Sequence, residues 1–237
     1  MLQSRMLQSQ LPVVNKILGS LPRSDYQRLL PSLELVELGA GDVLCEPGDP
    51  LRYVYFPADA LLTLLHLVDE KEVFSVALVG RDGIAGGAVV MGAQQAPFRV
   101  LVLGAGMALR MKAKVFAQEF RSSELLRDAA LRYLLQLTMQ ISDNAACNRF
   151  HVIEERLARW LLMMRDRCSS GHFHITHELM GHLLGVRRVG ITNAAQSLKQ
   201  RALIDYSRGA MDIVDPIGLK KAACGCYRMA EGRHGKT

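Results

Sequence analysis

Two patterns of hydrophobic and polar positions divide the chain. From Leu33 to Met111, short apolar runs alternate with glycine and proline punctuation such as Gly39, Gly41, Pro47, Gly48, Pro57, Gly80, Gly83, Gly92 and Gly104. The runs YVYF (53–56), LLTLLHLV (61–68), VFSVALV (73–79) and VLVLG (100–104) are rich in β-branched or aromatic residues, and Asp69-Glu70-Lys71 suits a hairpin between two of them. Many short strands joined by Gly-rich turns predict a sandwich, barrel or roll. Residues 12–32 ahead of it have a helical pattern, with a stop at Leu21-Pro22 and Ser24-Asp25 as the expected N-cap.

From Ser122 to Phe150 neither Gly nor Pro occurs. That predicts one helix, a rod of about 40 Å at ~1.5 Å per residue. It carries two apolar stripes: Leu126, Ala130, Tyr133 and Leu137 on one, and Leu131, Leu134 or Leu135, Thr138, Ile141 and Ala145 on the other. A helix apolar on two sides must be covered on two sides. The sheet module covers one; a second copy of the helix, in a symmetric coiled-coil-like dimer, is the economical cover for the other. Burial of both stripes inside a monomer is the alternative. A further helix follows, with Val152, Leu157, Trp160, Leu161 and Met164 on its apolar face, and it ends at the loop Cys168-Ser169-Ser170-Gly171.

Residues 175–199, ITHELMGHLLGVRRVGITNAAQSLK, hold the most readable motif. Thr176 suits an N-cap, Leu179, Met180, Leu183 and Leu184 make an apolar side, and Gly185 supplies a left-handed turn residue. A second helix starting near Arg187 puts Ile191, Ala194, Ala195 and Leu198 inside. Its outer face is then rich in hydrogen-bond donors. Arg187, Arg188, Val189, Thr192, Asn193 and Gln196 are the expected readers of base edges, and Thr176, His177, Lys199 and Arg208 the expected phosphate contacts. Next, Ile204/Tyr206 and Met211/Ile213 flank Ser207-Arg208-Gly209, a hairpin with a basic tip placed where a winged helix has its wing.

Charge adds weight to the nucleic-acid reading. The chain has 237 residues and a net charge of +6 from 29 Lys plus Arg and 23 Asp plus Glu. Residues 1–150 carry 15 basic and 15 acidic side chains, which leaves 14 basic and 8 acidic, and so the whole excess, in residues 151–237. A neutral front and a basic back suggest two modules, the second facing a polyanion. No window reaches the ~18 apolar residues of a membrane helix. Residues 1–16 lack the charged-then-apolar order of a secretory signal, so a cytoplasmic location is expected. The five scattered cysteines do not resemble a disulfide framework, and Cys224-x-Cys226 without a second pair is a weak metal signal, so no metal or cofactor is expected. In HELMGH the two histidines are five apart, about 140° around a helix, which does not fit a two-ligand zinc helix. The front module has one histidine, His66, too few for a metal-binding barrel. Since neither a nucleophile nor an acid–base pair stands out, an enzyme is not expected.

Taken in order, these parts resemble the Crp/Fnr superfamily of bacterial transcription regulators over about residues 20–215. The resemblance is carried by EPGD at 46–49 followed by YVYF at 53–56, the long helix, Glu155-Arg156-Leu157-Ala158 opening the next helix, and ITHELMGHLLGVRR at 175–188 with its wing. It implies an α+β chain with a cyclic-nucleotide-binding-like β-roll at 1–120, a dimerisation helix at 121–150 and a winged-helix DNA-binding domain at 151–237. Leu126, Tyr133, Leu134, Leu137, Thr138, Ile141 and Ala145 are the dimer residues expected on this reading. The implied partners are a second copy and a palindromic double-stranded operator, with RNA polymerase as a further candidate and an effector of unknown identity.

The departures from the family pattern are informative. Where its cyclic-nucleotide binders have Gly-Glu and then Arg-Ser or Arg-Thr, this chain has Gly86-Gly87 and Ala96-Pro97, so response to cyclic AMP or cyclic GMP is not expected. The cysteines that hold the iron–sulfur centre of its oxygen sensors have no counterpart before Cys45, and nothing supports a haem. The founding activator reads bases with Arg, Glu and Arg, at positions filled here by Arg188, Val189 and Asn193, which predicts a different operator. The alternative from another class is a small-molecule-binding regulatory subunit whose C-terminal helices contact protein.

Overall fold

The computed structural model describes residues 15–68, 73–168 and 171–234. The hairpin tip expected at 69–71 and the loop residues Ser169 and Ser170 lie outside them. The chain is α+β and divides into two compact units, one of residues 1–64 and 79–137, the other of residues 65–78 and 138–237.

The first unit opens with helix α1 (Lys16–Gly19), whose cap is the buried Asn15. The Asn15 carbonyl oxygen accepts from the Ile17 and Leu18 amides, while its amide donates to Pro57 and Gly83 carbonyls at 3.0 and 2.9 Å. One side chain thus caps a helix and pins two roll segments. Helix α2 (Arg23–Leu29) begins earlier than the expected Ser24-Asp25 cap. Pro22 occupies the N-cap with no side-chain hydrogen bond, because its fixed φ already suits the helix start, and Asp25 falls in the first turn.

The four named apolar runs become β3 (Tyr53–Pro57), β4 (Leu61–Leu67), β5 (Val73–Val79) and β6 (Arg99–Gly104), and three further strands lie in the same segment, β1 (Glu34–Leu38), β2 (Val43–Cys45) and β7 (Gly106–Lys112). They form an antiparallel sheet β1-β7-β3 and a four-stranded sheet β2-β6-β4-β5. Every residue from Leu61 to Leu65 is buried, which explains why β4 reads as a continuous apolar run and not as an alternation. Helix α3 (Ala113–Ser122) sets Phe116 edge-on against Phe56, ring centroids 5.8 Å apart.

Helix α4 (Glu124–Phe150) is the long rod. Its two stripes have different fates. Leu126, Ala130, Tyr133 and Leu134 are buried in the first unit, and Gly83 lies so close to the Tyr133 ring that a Cβ there would come within 2.2 Å of it. Leu131 and Leu135 are 48% and 62% exposed, Thr138 and Ala145 are exposed with them, and Leu137 and Ile141 are half-buried.

In the second unit, the C-terminal half of α4 closes the edge of the four-stranded sheet. Gln140 accepts from the Leu78 amide at 2.9 Å and donates to the Leu78 carbonyl at 3.2 Å, and Asn144, one turn on, donates to the Val76 carbonyl at 2.7 Å. Helix α5 (Ile153–Arg167) buries Leu157, Ala158, Trp160, Leu161, Leu162 and Met164. After it come β8 (His172–His174), α6 (His177–Leu184), α7 (Arg188–Gln200), β9 (Ile204–Ser207), β10 (Ala210–Ile213), α8 (Pro216–Ala222) and α9 (Gly225–His234), with a small antiparallel sheet ordered β8-β10-β9. No helix among the described residues is long and apolar enough to cross a membrane.

Candidate nucleic-acid interface

Helices α6 and α7 form a helix-turn-helix whose local chemistry follows from the sequence. The Thr176 hydroxyl accepts from the Leu179 amide at 3.1 Å, and Gly185 ends α6 at φ 62°, ψ 42°, a conformation that costs other residues strain. Gly181 faces the turn: a Cβ there would lie 2.9 Å from the Val186 carbonyl oxygen. Ile191, Ala194, Ala195 and Leu198 are buried, which fixes the rotation of α7 and turns Arg187, Arg188, Val189, Asn193, Gln196 and Lys199 outward. Val189 is 62% exposed, an apolar contact left facing solvent at the start of the helix. Five of the six expected base readers therefore share an open face.

The sixth, Thr192, is turned to another task. Its hydroxyl donates to the Arg188 carbonyl and meets Nδ1 of His177, both at 3.1 Å, with the imidazole donating. The His177 ring also stacks on Tyr206 of β9, centroids 4.2 Å apart. Nε2 of His177 is buried without a hydrogen-bond partner, so the ring is not presented to a phosphate as the sequence suggests. Burial, and then the charge of Arg188, hold the imidazole below its ordinary pKa, in the neutral form that suits a bracing role. The His177–Thr192–Tyr206 contact joins both helices to the wing, a role for Tyr206 that its strand pattern does not signal.

Lys199 also differs from expectation. Its ammonium pairs with Asp205 at 2.6 Å and donates to the Tyr206 carbonyl at 3.0 Å, which ties the end of α7 to the wing. Asp205 lies beyond the helix, so the face of α7 read along the sequence does not include it.

The wing itself is a two-residue hairpin, Ser207 pairing Ala210 across Arg208 and Gly209. Both central residues have positive φ, 49° and 86°, the signature of a type I′ turn, whose twist matches the flanking strands. The left-handed conformation costs Arg208 a steric penalty of about 1 kcal/mol. Arg208→Gly is therefore expected to raise the unfolding free energy by up to about that amount while lowering DNA affinity through the lost charge, checked by denaturant unfolding alongside a binding titration. Equal stability of the two proteins would contradict the strain argument.

In the first unit, the residues around Ala96-Pro97 face a small apolar cavity. A cavity of about 80 Å³ is lined by Ile84, Gly86, Ala88, Ala96, Pro97 and Leu137, among others, with no basic side chain. Arg99, the nearest arginine by sequence, pairs with Glu46 of the EPGD turn at 2.7 Å. That turn is shaped by Gly48 at φ 88° and by Asp49, whose carboxylate accepts from the Glu46 amide at 2.8 Å.

Among the described residues, one cluster has the composition of a metal centre: Cys147, His151, Cys224 and Cys226, their ligand atoms all within 4.8 Å of one another. Along the sequence only the C-x-C pair stands out. Cys147-x₃-His151 at the end of a helix is the second pair it lacked, and one helical turn brings those two residues to the same side. The Cys147–Cys224 hydrogen bond pushes the Cys147 thiol up and holds the Cys224 thiol down to about 6.

Residues 155–222 match the Crp-like helix-turn-helix domain family. Solved structures share the fold of most of the chain. FixK2 from Bradyrhizobium japonicum matches with a TM-score of 0.69 at 12% identity, covering 81% of this chain and 98% of that one. The c-di-GMP-responsive global regulator CLP of Xanthomonas campestris gives 0.66 at 12% identity over 81% and 99%. TTHA1359, a CRP/FNR-family transcriptional regulator from Thermus thermophilus, gives 0.64 at 18% identity over 80% and 98%. No curated protein sequence matches the chain. The shared fold consists of a β-roll, a long helix and a helix-turn-helix with a wing. Within it, residues 155–222 are the part that matches the Crp-like helix-turn-helix model, and about four fifths of the chain shares the fold of these Crp/Fnr-family structures.

Proposed function

We propose that the chain is a cytoplasmic, homodimeric, sequence-specific DNA-binding transcription regulator of the Crp/Fnr type that does not respond to cyclic AMP or cyclic GMP. The observation that carries this reading is the exposed face of α7, where Arg187, Arg188, Val189, Asn193 and Gln196 stand clear of the packed Ile191, Ala194, Ala195 and Leu198. A face with arginine, asparagine and glutamine and no acid suits the major groove, where Arg pairs with guanine, and Asn or Gln with adenine. Phosphate contacts by Arg208 and the Thr176 helix start would fix the register. The exposed line Leu131, Leu135, Thr138, Ser142 and Ala145, at alternating spacings of four and three, supports pairing of α4 with a second copy. Leu126, Tyr133 and Leu134 are engaged by the roll and leave the proposed dimer face to this line. The apolar lining near Ala96-Pro97 and the Arg99–Glu46 pair support the lack of response to cyclic nucleotides.

Selection of bound duplexes from a random pool tests the reading directly. A palindromic consensus is expected, with binding that weakens steeply as salt rises and is unchanged by cyclic AMP or cyclic GMP. On the selected site, Arg188→Ala is expected to cost about 1–3 kcal/mol and to relax the preference at one base pair. Equal losses on selected and random DNA would remove Arg188 from the base readers.

A further inference from the structure

Cys147, His151, Cys224 and Cys226 bring four potential metal-ligand atoms within 4.8 Å of one another. Cys147, Cys224 and Cys226 are buried and form a small cluster of their own, and all three are free thiols. Sγ of Cys147 lies 3.5 Å from Sγ of Cys224, far beyond the ~2.05 Å of a disulfide. Sγ of Cys226 lies 3.9 Å from Nδ1 of His151. A tetrahedral zinc with Zn–S of about 2.3 Å and Zn–N of about 2.0–2.1 Å has edges of about 3.8 Å between sulfurs and about 3.5 Å between sulfur and nitrogen. These two separations are close to the edges of that tetrahedron, and all four ligand atoms lie within 4.8 Å of one another.

A second observation points the same way. Arg159 is only 5% exposed, and its charge acts on all three thiols. One guanidinium nitrogen donates to Asn144 at 2.6 Å, while Nε and Nη2 are buried with no hydrogen-bond partner. An uncompensated buried cation is strongly destabilising. Zinc bound by three thiolates and a neutral imidazole carries a net charge of −1, which is the counter-charge Arg159 lacks.

We infer that Cys147, His151, Cys224 and Cys226 bind one zinc ion that staples the two ends of the DNA-binding module together. Two ligands precede the matched helix-turn-helix domain, residues 155–222, and two follow it, so the ion closes the loop of chain that contains the whole module. Closing a long loop restricts the unfolded chain most, and a site absent from the unfolded state makes metal binding part of folding. On binding, whatever protons the three thiols still carry pass to solvent, Zn–S and Zn–N bonds form, and no electron is transferred. Soft thiolates in a tetrahedral S₃N set select zinc over calcium, magnesium or manganese. The inference concerns a site apart from the DNA-reading face, so metal content and DNA binding test the two separately.

The full chain, purified with reductant and without chelator, is expected to hold one zinc per chain by elemental analysis. The cobalt-exchanged protein is expected to show thiolate-to-metal charge transfer and the visible bands of a tetrahedral site. Cys226→Ser and His151→Ala should each lower zinc affinity by more than about a hundredfold in competition with a chromophoric chelator, since even outer-shell changes cost ten- to a hundredfold. Cys168→Ser, a thiol outside the cluster, should leave it unchanged. Because a ligand variant can fail to fold, zinc content and the cobalt spectrum of the unmutated chain are the decisive readouts. A melting temperature unmoved by zinc or chelator, with no metal taken up, would overturn the site, as would a Cys147–Cys224 disulfide in the protein freshly isolated in reducing buffer. Metal retained with DNA binding lost would count against the regulator reading alone.

Discussion

If the proposed dimer forms through α4, the double substitution Leu131→Glu, Leu135→Glu is expected to leave a monomer and to lower affinity for a two-half-site operator by about a hundred- to ten-thousandfold. Both leucines are exposed on α4 and sit four residues apart, so a symmetric partner helix would bring like carboxylates together where apolar contact is needed. Neither side chain belongs to the core of its own unit, and the roll is expected to stay folded. The size of the effect comes from bivalency. Once one half-site is bound, the second binds at a high effective concentration, and a monomer forfeits that gain. Sedimentation at micromolar protein, paired with titration of a whole operator and of a single half-site, checks it. Unchanged mass would place the dimer contact elsewhere, and equal affinities for whole and half operators in the unmutated protein would dispose of the bivalent arrangement.

The second large effect is expected at Gly181. A valine there meets the Val186 carbonyl oxygen, which the first Cβ would already approach to 2.9 Å, and the start of α7 at Arg188 lies just behind. Backbone atoms cannot swing aside as a flexible side chain would. The angle between α6 and α7 must open, at a cost of about 1–3 kcal/mol or more, and every reader on α7 moves together. Gly181→Val is therefore expected to abolish specific binding, while Gly181→Ala weakens it less. Denaturant unfolding should register the loss as an earlier midpoint, and a valine variant with unaltered operator affinity would show that the close crossing is dispensable.

The helix-turn-helix is legible in the sequence because its constraints are local: a cap, a left-handed glycine and an apolar stripe each act within a few residues. The strands are legible for the same reason, since Gly and Pro mark their ends wherever the runs stop. Faces chosen by distant packing are not legible. The pattern of α4 allows either Leu134 or Leu135 on the outer stripe, and only the roll, by burying Leu134, decides between them. Roles within the interface are blurred in the same way. Lys199 and His177 have the right chemistry for phosphate, yet Asp205 and Tyr206, which engage them, arrive from another element. The thiol cluster is hidden by separation along the chain. Cys147 and Cys224 are 77 residues apart, and only the return of the chain past the wing brings them into contact.

The paired amides of Gln140 and Asn144 have a consequence for how this chain meets others. A strand at the end of a sheet normally offers a row of backbone donors and acceptors to any passing strand. On β5 the amide and carbonyl of Leu78 and the carbonyl of Val76 are already satisfied by a helix of the same chain. Recruitment of a partner by strand addition is closed off there, and so is the shortest route to edge-to-edge aggregation. Gln140→Leu would reopen it without touching the exposed face of α7. What remains for self-association is the helical surface, which is selective about its mate in a way that a bare strand is not.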